Sequence, residues 1–305
     1  MHLGNNVVTP ECAVFGLGMA ALGLGAGVVM ARRTGKVNPL RYGAATSLVF
    51  ALQMFNLPVM PQASGHMIGG FLLANWFGPG WGLIGMALLL SVQSVFYADG
   101  GLTVLGLNIL TMGVAPCLIA YPLWKRWCGQ ATGAARWASL AAGAWASVML
   151  AAVICTAAVF SVASAQQQPG SVIGMMFGVH AIIGVIEAAL TVAVMALVEK
   201  TKPMGAISGA AGVTATSLVV ALAAFFGASP WPDGLEFSLE RCGIAPLASS
   251  FVESIEQWQA SLAIWPDYSS VTGALMGVVI LLSIAALAAR VLGPQRDVSL
   301  KARFA

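Results

Sequence analysis

Residues 172–198, VIGMMFGVHAIIGVIEAALTVAVMALV, contain no Lys or Arg and a single carboxylate, Glu187. A helix of that length is about 40 Å long, enough to cross a hydrocarbon core about 30 Å thick. Comparable runs recur through the 305-residue chain, in which 59% of residues are hydrophobic and 8% charged. Soluble domains carry about 25% charged residues, so the sequence specifies an all-α polytopic membrane protein. Charged, Pro and Gly breaks divide it into about nine transmembrane helices, near 12–31, 42–57, 66–78, 81–97, 102–123, 137–162, 172–198, 204–227 and 271–292. The third is short for a full span and is expected to tilt or to meet thinned bilayer. The 35 glycines suit closely packed membrane helices. In the first helix, GLGMAALGLGAG (residues 16–27) serves either internal packing or a partner subunit.

Charge sets the orientation. Arg32, Arg33, Lys36 and Arg41 follow the first helix, and Lys125, Arg126 and Arg136 lie between the fifth and sixth. Lys200 and Lys202 follow the seventh, and Arg290, Arg296, Lys301 and Arg303 close the chain. Thirteen of the 14 basic residues thus share one side, with Arg241 alone on the other. The positive-inside rule makes the shared side cytoplasmic. With an odd number of spans, the N-terminus is expected outside and the C-terminus in the cytoplasm. Residues 229–270, SPWPDGLEFSLERCGIAPLASSFVESIEQWQASLAIWPDYSS, are rich in acids, Trp and Pro and form an external loop between the last two spans.

The N-terminus, MHLGNNVVTPEC, has no basic region ahead of an apolar run, so no cleavable signal is expected and Met1 is retained. Five cysteines without paired spacing suggest neither a disulfide framework nor a zinc site. No P-loop, H-E-x-x-H or G-x-S-x-G motif is present, nor a basic nucleic-acid-binding patch. ATP hydrolysis by this chain is excluded.

The three histidines, His2, His66 and His180, all fall in the outer half of the expected topology. Any one alone could be a packing residue; three on one side point towards a metal site. The Met1 amine, the His2 amide nitrogen and His2 Nδ1 can chelate one ion through fused rings. His66 could supply a fourth nitrogen. Such a planar set suits Ni(II) or Cu(II) better than tetrahedral Zn(II). Glu187, the only carboxylate in an expected span, lies two turns below His180 on one helix face, with Thr191 a turn beyond. Intramembrane acids are costly, so Glu187 is either functional or a buried structural acceptor. Gln53, Asn56, Gln93 and Asn108 are polar groups on apolar helices, suited to bridging helices or supporting ligands.

Four stretches, MHLGNN, FALQMFNLPVMPQASGHMIGG, SVQSVFYADGGLTVLGLNILTMG and GVHAIIGVIEAALT, resemble the CbiM/NikM family. Residues 1–200 carry this resemblance. Residues 201–305, with PDGLE at 232–236 and WPDYS at 265–269, are similar to the two-helix PDGLE (CbiN/NikN-like) partner, fused here. The resemblance implies the substrate-binding component of an energy-coupling-factor (ECF) importer for cobalt or nickel in a prokaryotic inner (plasma) membrane. It implies metal held by Met1, His2 and His66, with supporting or pathway roles for His180, Glu187 and Asn108. It also implies a transmembrane coupling (T) subunit and separate cytoplasmic ATPase subunits, no enzyme activity in this chain, and no cofactor besides the transported ion. Leu3 and Asn6 stand where many members have Ile and Gly, which bears on the turn behind the terminus. The alternative is an intramembrane metal-dependent hydrolase using the same histidines with Glu187 as base; a structural or assembly protein is a third reading.

Overall fold

The computed structural model describes residues 2–162, 168–201, 206–246, 250–268 and 270–293. Apolar runs become helices where proline or a short polar side chain marks the start. The order is α1 (Pro10–Thr34), α2 (Pro39–Met54), a hairpin of β1 (Leu57–Met60) and β2 (Ala63–Gly65), α3 (Gly70–Phe77) and α4 (Pro79–Tyr97). There follow α5 (Leu105–Cys128), α6 (Gly133–Val159), α7 (Pro169–Thr201) and α8 (Ala206–Gly227). Two short helices, α9 (Gly234–Arg241) and α10 (Ser250–Leu262), precede α11 (Val271–Leu292). Prolines open α1, α2 and α4, where a missing N–H costs nothing and φ is already helical. Thr9, Asn38 and Ser270 cap α1, α2 and α11 through their side chains.

All nine expected helices are present. Seven of them (α1, α4, α5, α6, α7, α8 and α11) are long and apolar enough to cross a membrane. The other two are shorter: α2 has 16 residues and α3 has 8, or about 24 and 12 Å. Within α5 the segment Leu110–Ala120 is a π-helix around Pro116, whose missing donor breaks the regular ladder.

Helix α2 survives its shortness because it is central. Residues 42–54 are buried throughout, with α8 and α11 packed against it and against each other. The pairs α6–α7, α3–α4 and α1–α4 complete the bundle. Close approach depends on glycine: a Cβ on Gly43 of α2 would run into the Leu282 carbonyl of α11. On α1 the small residues divide between two surfaces. Gly16, Gly23 and Gly27 meet Leu107, Val114 and Leu83, while Gly18 and Gly25 face open space. Val14, Phe15, Leu17 and Leu22 project outward beside them.

Helix α7 also carries Glu199, paired with Arg136, so Glu187 is one of two carboxylates on that helix. Lys202, Arg296, Lys301 and Arg303 lie outside the described residues. Gly43→Val should cost about 1–3 kcal/mol of stability through overpacking, read as a lower melting temperature in detergent. Gly18→Val, on the open face, should leave it unchanged.

Candidate metal centre

The segment after Met1 is tucked into the bundle. Leu3 is fully buried and His2 nearly so. Asn108 of α5 holds the Leu3 peptide at both ends: Leu3 N donates to Asn108 Oδ1 (2.8 Å) and Asn108 Nδ2 donates to Leu3 O (3.1 Å). The Gly101 amide also donates to Leu3 O, at 2.8 Å. Asn5 Oδ1 accepts from the amide and hydroxyl of Thr103. This fit needs the glycine pair at 100–101. Gly100 has φ +82°, and a Cβ on Gly101 would strike the Asn5 backbone. Asn6 sits at φ +67°, a left-handed conformation that Asn tolerates better than other residues with a Cβ. The turn is thus kept without glycine, and Asn6 Nδ2 gains a bond to Glu256.

His2 and His66 come together, their rings stacked with centroids 5.1 Å apart. His66 Nδ1 donates to Met67 O at 2.9 Å, which leaves its lone pair on Nε2. His2 Nε2 lies 3.2 Å from Gln93 Oε1, and His2 Nδ1 lies 3.2 Å from Asp99 Oδ1. Both nitrogens of His2 therefore face acceptors. Asp99 is held in turn by Tyr268, whose hydroxyl donates to its Oδ2 at 2.6 Å and accepts from Gln93 Nε2 at 3.0 Å. Burial lowers the pKa of the His2 ring against the pull of Asp99. The neutral imidazole that ligates metals is thus favoured there. Met1, the third expected ligand, lies outside the described residues.

His66 belongs to an unwound stretch, 66–69, that enters the bundle ahead of α3. Glu187 of α7 accepts from the amides of Ile68 (2.6 Å) and Gly69 (3.0 Å), while Gln53 Nε2 donates to Ile68 O at 2.6 Å. Glu187 therefore positions the His66 loop. His180 stands apart from the histidine pair. Its Nδ1 donates to Met176 O at 2.7 Å, and its fully buried Nε2 has no partner. Among the described residues, no three or more His, Cys, Asp or Glu side chains group around one point.

The 229–270 segment covers this centre. Ser64, two residues before His66, donates from N to Pro232 O (2.8 Å) and from Oγ to Trp231 O (2.7 Å). This sets Asp233 alongside the hairpin. Burial pushes the Asp233 carboxyl up, but nearby positive charge and the hydrogen bond from the Glu236 amide outweigh it and hold the group below the usual carboxylate range. At the other edge Gln259 of α10 accepts from Asn5 Nδ2 (2.8 Å) and Leu102 N, and donates to Ser94 O and Gly100 O. Trp265 and Tyr268 stack on Tyr97 at the end of α4. Between bundle and cover lies a cavity of about 430 Å³, reached by His2, His66, Asp99, Asp233 and Tyr268. Gln259 stands in no motif of the sequence, and Tyr268, within WPDYS, carried no sign there that its hydroxyl would reach Asp99.

Comparison with known proteins gives a consistent family. Residues 2–205 match the CbiM model, "Cobalt uptake substrate-specific transmembrane region". The chain is 31% identical over 206 residues to a "putative metal transport protein" of Haloquadratum walsbyi, covering 67% of this chain and 92% of the relative. It is 35% identical over 112 residues to the fused nickel transport protein NikMN of Rhodobacter capsulatus, covering 34% of this chain and 32% of that one. A crystal structure of a truncated transition metal transporter shares the fold, with a TM-score of 0.58 at 21% identity over 66% of this chain and 99% of that one.

Replacing Glu187 with Ala should strand the Ile68 and Gly69 amides, at about 1–3 kcal/mol for each buried donor left unmet. Hydrogen exchange across 66–70 should accelerate and the melting temperature fall. Glu187→Gln, which keeps one carbonyl acceptor, should lie between. Unchanged exchange in the Ala variant would refute the positioning role.

Proposed function

The chain belongs to the CbiM family of cobalt uptake substrate-specific transmembrane regions, and from that premise we propose that it is the substrate-capture subunit of an ECF-type importer for Ni(II) or Co(II). The ion is held by the Met1 amine, the His2 amide nitrogen and Nδ1, and His66 Nε2. The observation that carries this reading is the surroundings of His2. A neutral ring has one proton for the two acceptors, Asp99 and Gln93. A cation on Nδ1 removes the deficit, because Nε2–H then donates to Gln93 and fixes the ligating tautomer. Asn108 supports the same arrangement by holding the Leu3 peptide directly behind His2.

In this reading residues 1–200 form the metal-binding domain and 201–305 a fused PDGLE-like partner. Basic residues at the opposite end favour an outward-facing centre, with the N-terminus outside and the C-terminus in the cytoplasm of a prokaryote. Energy comes from separate ATPase subunits acting through a coupling subunit, since this chain carries no nucleotide motif. His180, buried on α7 with a lone pair to spare, belongs to the inward path. A hydrolase would need Glu187 as a base beside the metal, yet both its oxygens are engaged by the Ile68 and Gly69 amides.

Two measurements test this. One extra residue before Met1 should abolish metal loading of the purified protein, whereas a C-terminal tag should not; equal loading would remove the terminal amine from the ligand set. His66→Ala should abolish high-affinity binding. His180→Ala should reduce uptake by about 10–100-fold, as losses beside a metal site do, with a smaller effect on binding. The reverse order would exchange the roles of the two histidines.

A further inference from the structure

Tyr268 lies outside the 2–205 stretch that matches the family model, yet its hydroxyl stands inside the hydrogen-bond network around His2. Its backbone is unusual: φ is +54°, in a left-handed region that is strained for a bulky side chain. Stacking on Tyr97, an edge contact with Phe50 and two hydroxyl bonds hold it there. The direction of those bonds is dictated by the groups themselves. A carboxylate only accepts, so the single Tyr268 proton goes to Asp99 Oδ2, at 2.6 Å. The phenol oxygen is then left to accept, and Gln93 must turn its Nε2 towards it, at 3.0 Å. Gln93 is fully buried, and its Oε1 consequently faces His2 Nε2 at 3.2 Å. The Asp99 amide donates to the Gln93 backbone carbonyl at 3.1 Å, so both acceptors around the His2 ring sit on one turn.

We propose that Tyr268 is a positioning residue that selects the metal-ligating tautomer of His2, acting through the side-chain amide of Gln93. The role rests on the capture reading, in which His2 Nδ1 is a ligand. Without the hydroxyl, Gln93 is free to turn over. Its Nε2 then donates to His2 Nε2, the ring's one proton sits on Nδ1, and Nδ1–H donates to Asp99 Oδ1, already 3.2 Å away. Both ring nitrogens are satisfied in that arrangement, and the one the ion requires is blocked. Tyr268 forbids it. A turned-over amide would set Gln93 Oε1 against the phenol oxygen, whose proton is committed to Asp99, and unmatched acceptors are costly in a buried site. The ring proton is thereby kept on Nε2, and Nδ1 is reserved for a cation. The imidazole on the N-terminal segment is thus set for metal by a side chain of the covering segment.

Nitrogen-15 magnetic resonance reads the tautomer on the metal-free full chain carrying labelled histidine, with the His2 signals identified by their absence from His2→Gln. In wild type, Nε2 should resonate as a protonated, pyrrole-type nitrogen. Tyr268→Phe keeps the ring that stacks on Tyr97. It should convert Nε2 to an unprotonated, pyridine-type nitrogen and weaken Ni(II) binding about 10–100-fold, in the range seen for outer partners of metal sites. Tyr97→Phe removes a hydroxyl from the neighbouring ring, where it donates to Gly273 O, and should leave the His2 signals unchanged. Adding Gln93→Glu to Tyr268→Phe places an acceptor-only group against Nε2 and should return its proton, a repair that a merely loosened site would not show. The role is overturned if Nε2 is unprotonated in wild type, stays protonated in Tyr268→Phe, changes equally in Tyr97→Phe, or is not restored by Gln93→Glu. Failure of wild type to bind Ni(II) would instead refute the capture reading, and the metal-free signals would still judge Tyr268 separately.

Discussion

Peptide groups inside a bilayer must find partners within the protein, and the unwound stretch at 66–69 is where this chain meets that constraint most acutely. Three backbone groups beside His66 would otherwise be stranded. Glu187 takes two amides and Gln53 serves the intervening carbonyl. A buried carboxylate costs several kcal/mol unless it is well bonded, and here it also stands at the donor-rich start of α3, where a negative group is favoured. The break holds His66 under the N-terminal segment and lets one imidazole face another. A continuous helix through 66–77 would have no such opening.

Much of this architecture was legible in the chain. Apolar runs separated by proline, glycine and charge located all nine helices, because length and hydropathy are local properties. Asn108 was recognisable as a polar group on an apolar helix that needed a partner, and the structure supplies one in the Leu3 peptide. The i, i+7 spacing of His180 and Glu187 correctly placed both on the buried face of α7. It could not show how their contacts differ, because Glu187 bonds Ile68 and Gly69 on another element while His180 bonds Met176 within α7. Gln259 was harder still. It joins α10 to Asn5 and to the 94–102 turn, contacts separated by well over a hundred residues, and no spacing rule encodes such a meeting.

The aromatic residues of the covering segment show how composition can conceal distinct duties. Trp258 is largely exposed, as a residue resting at a membrane interface would be. Trp265 and Tyr268 instead stack on Tyr97, and Tyr268 reaches through to Asp99 and Gln93. The link from cover to His2 is thus a chain of named hydrogen bonds, so a change in the docking of WPDY bears directly on the ring that faces two acceptors.

The cover is held by covalent continuity as well as by contact. It emerges from α8 and returns through α11, both seated against α2. A tether of this kind presents its load at an effective concentration in the millimolar range, independent of how many copies the membrane contains. The polar contacts at Ser64, Asn5 and Gln259 can therefore be individually weak. They can break and re-form without the cover diffusing away, and a separate two-helix chain would need tighter contacts to achieve the same occupancy.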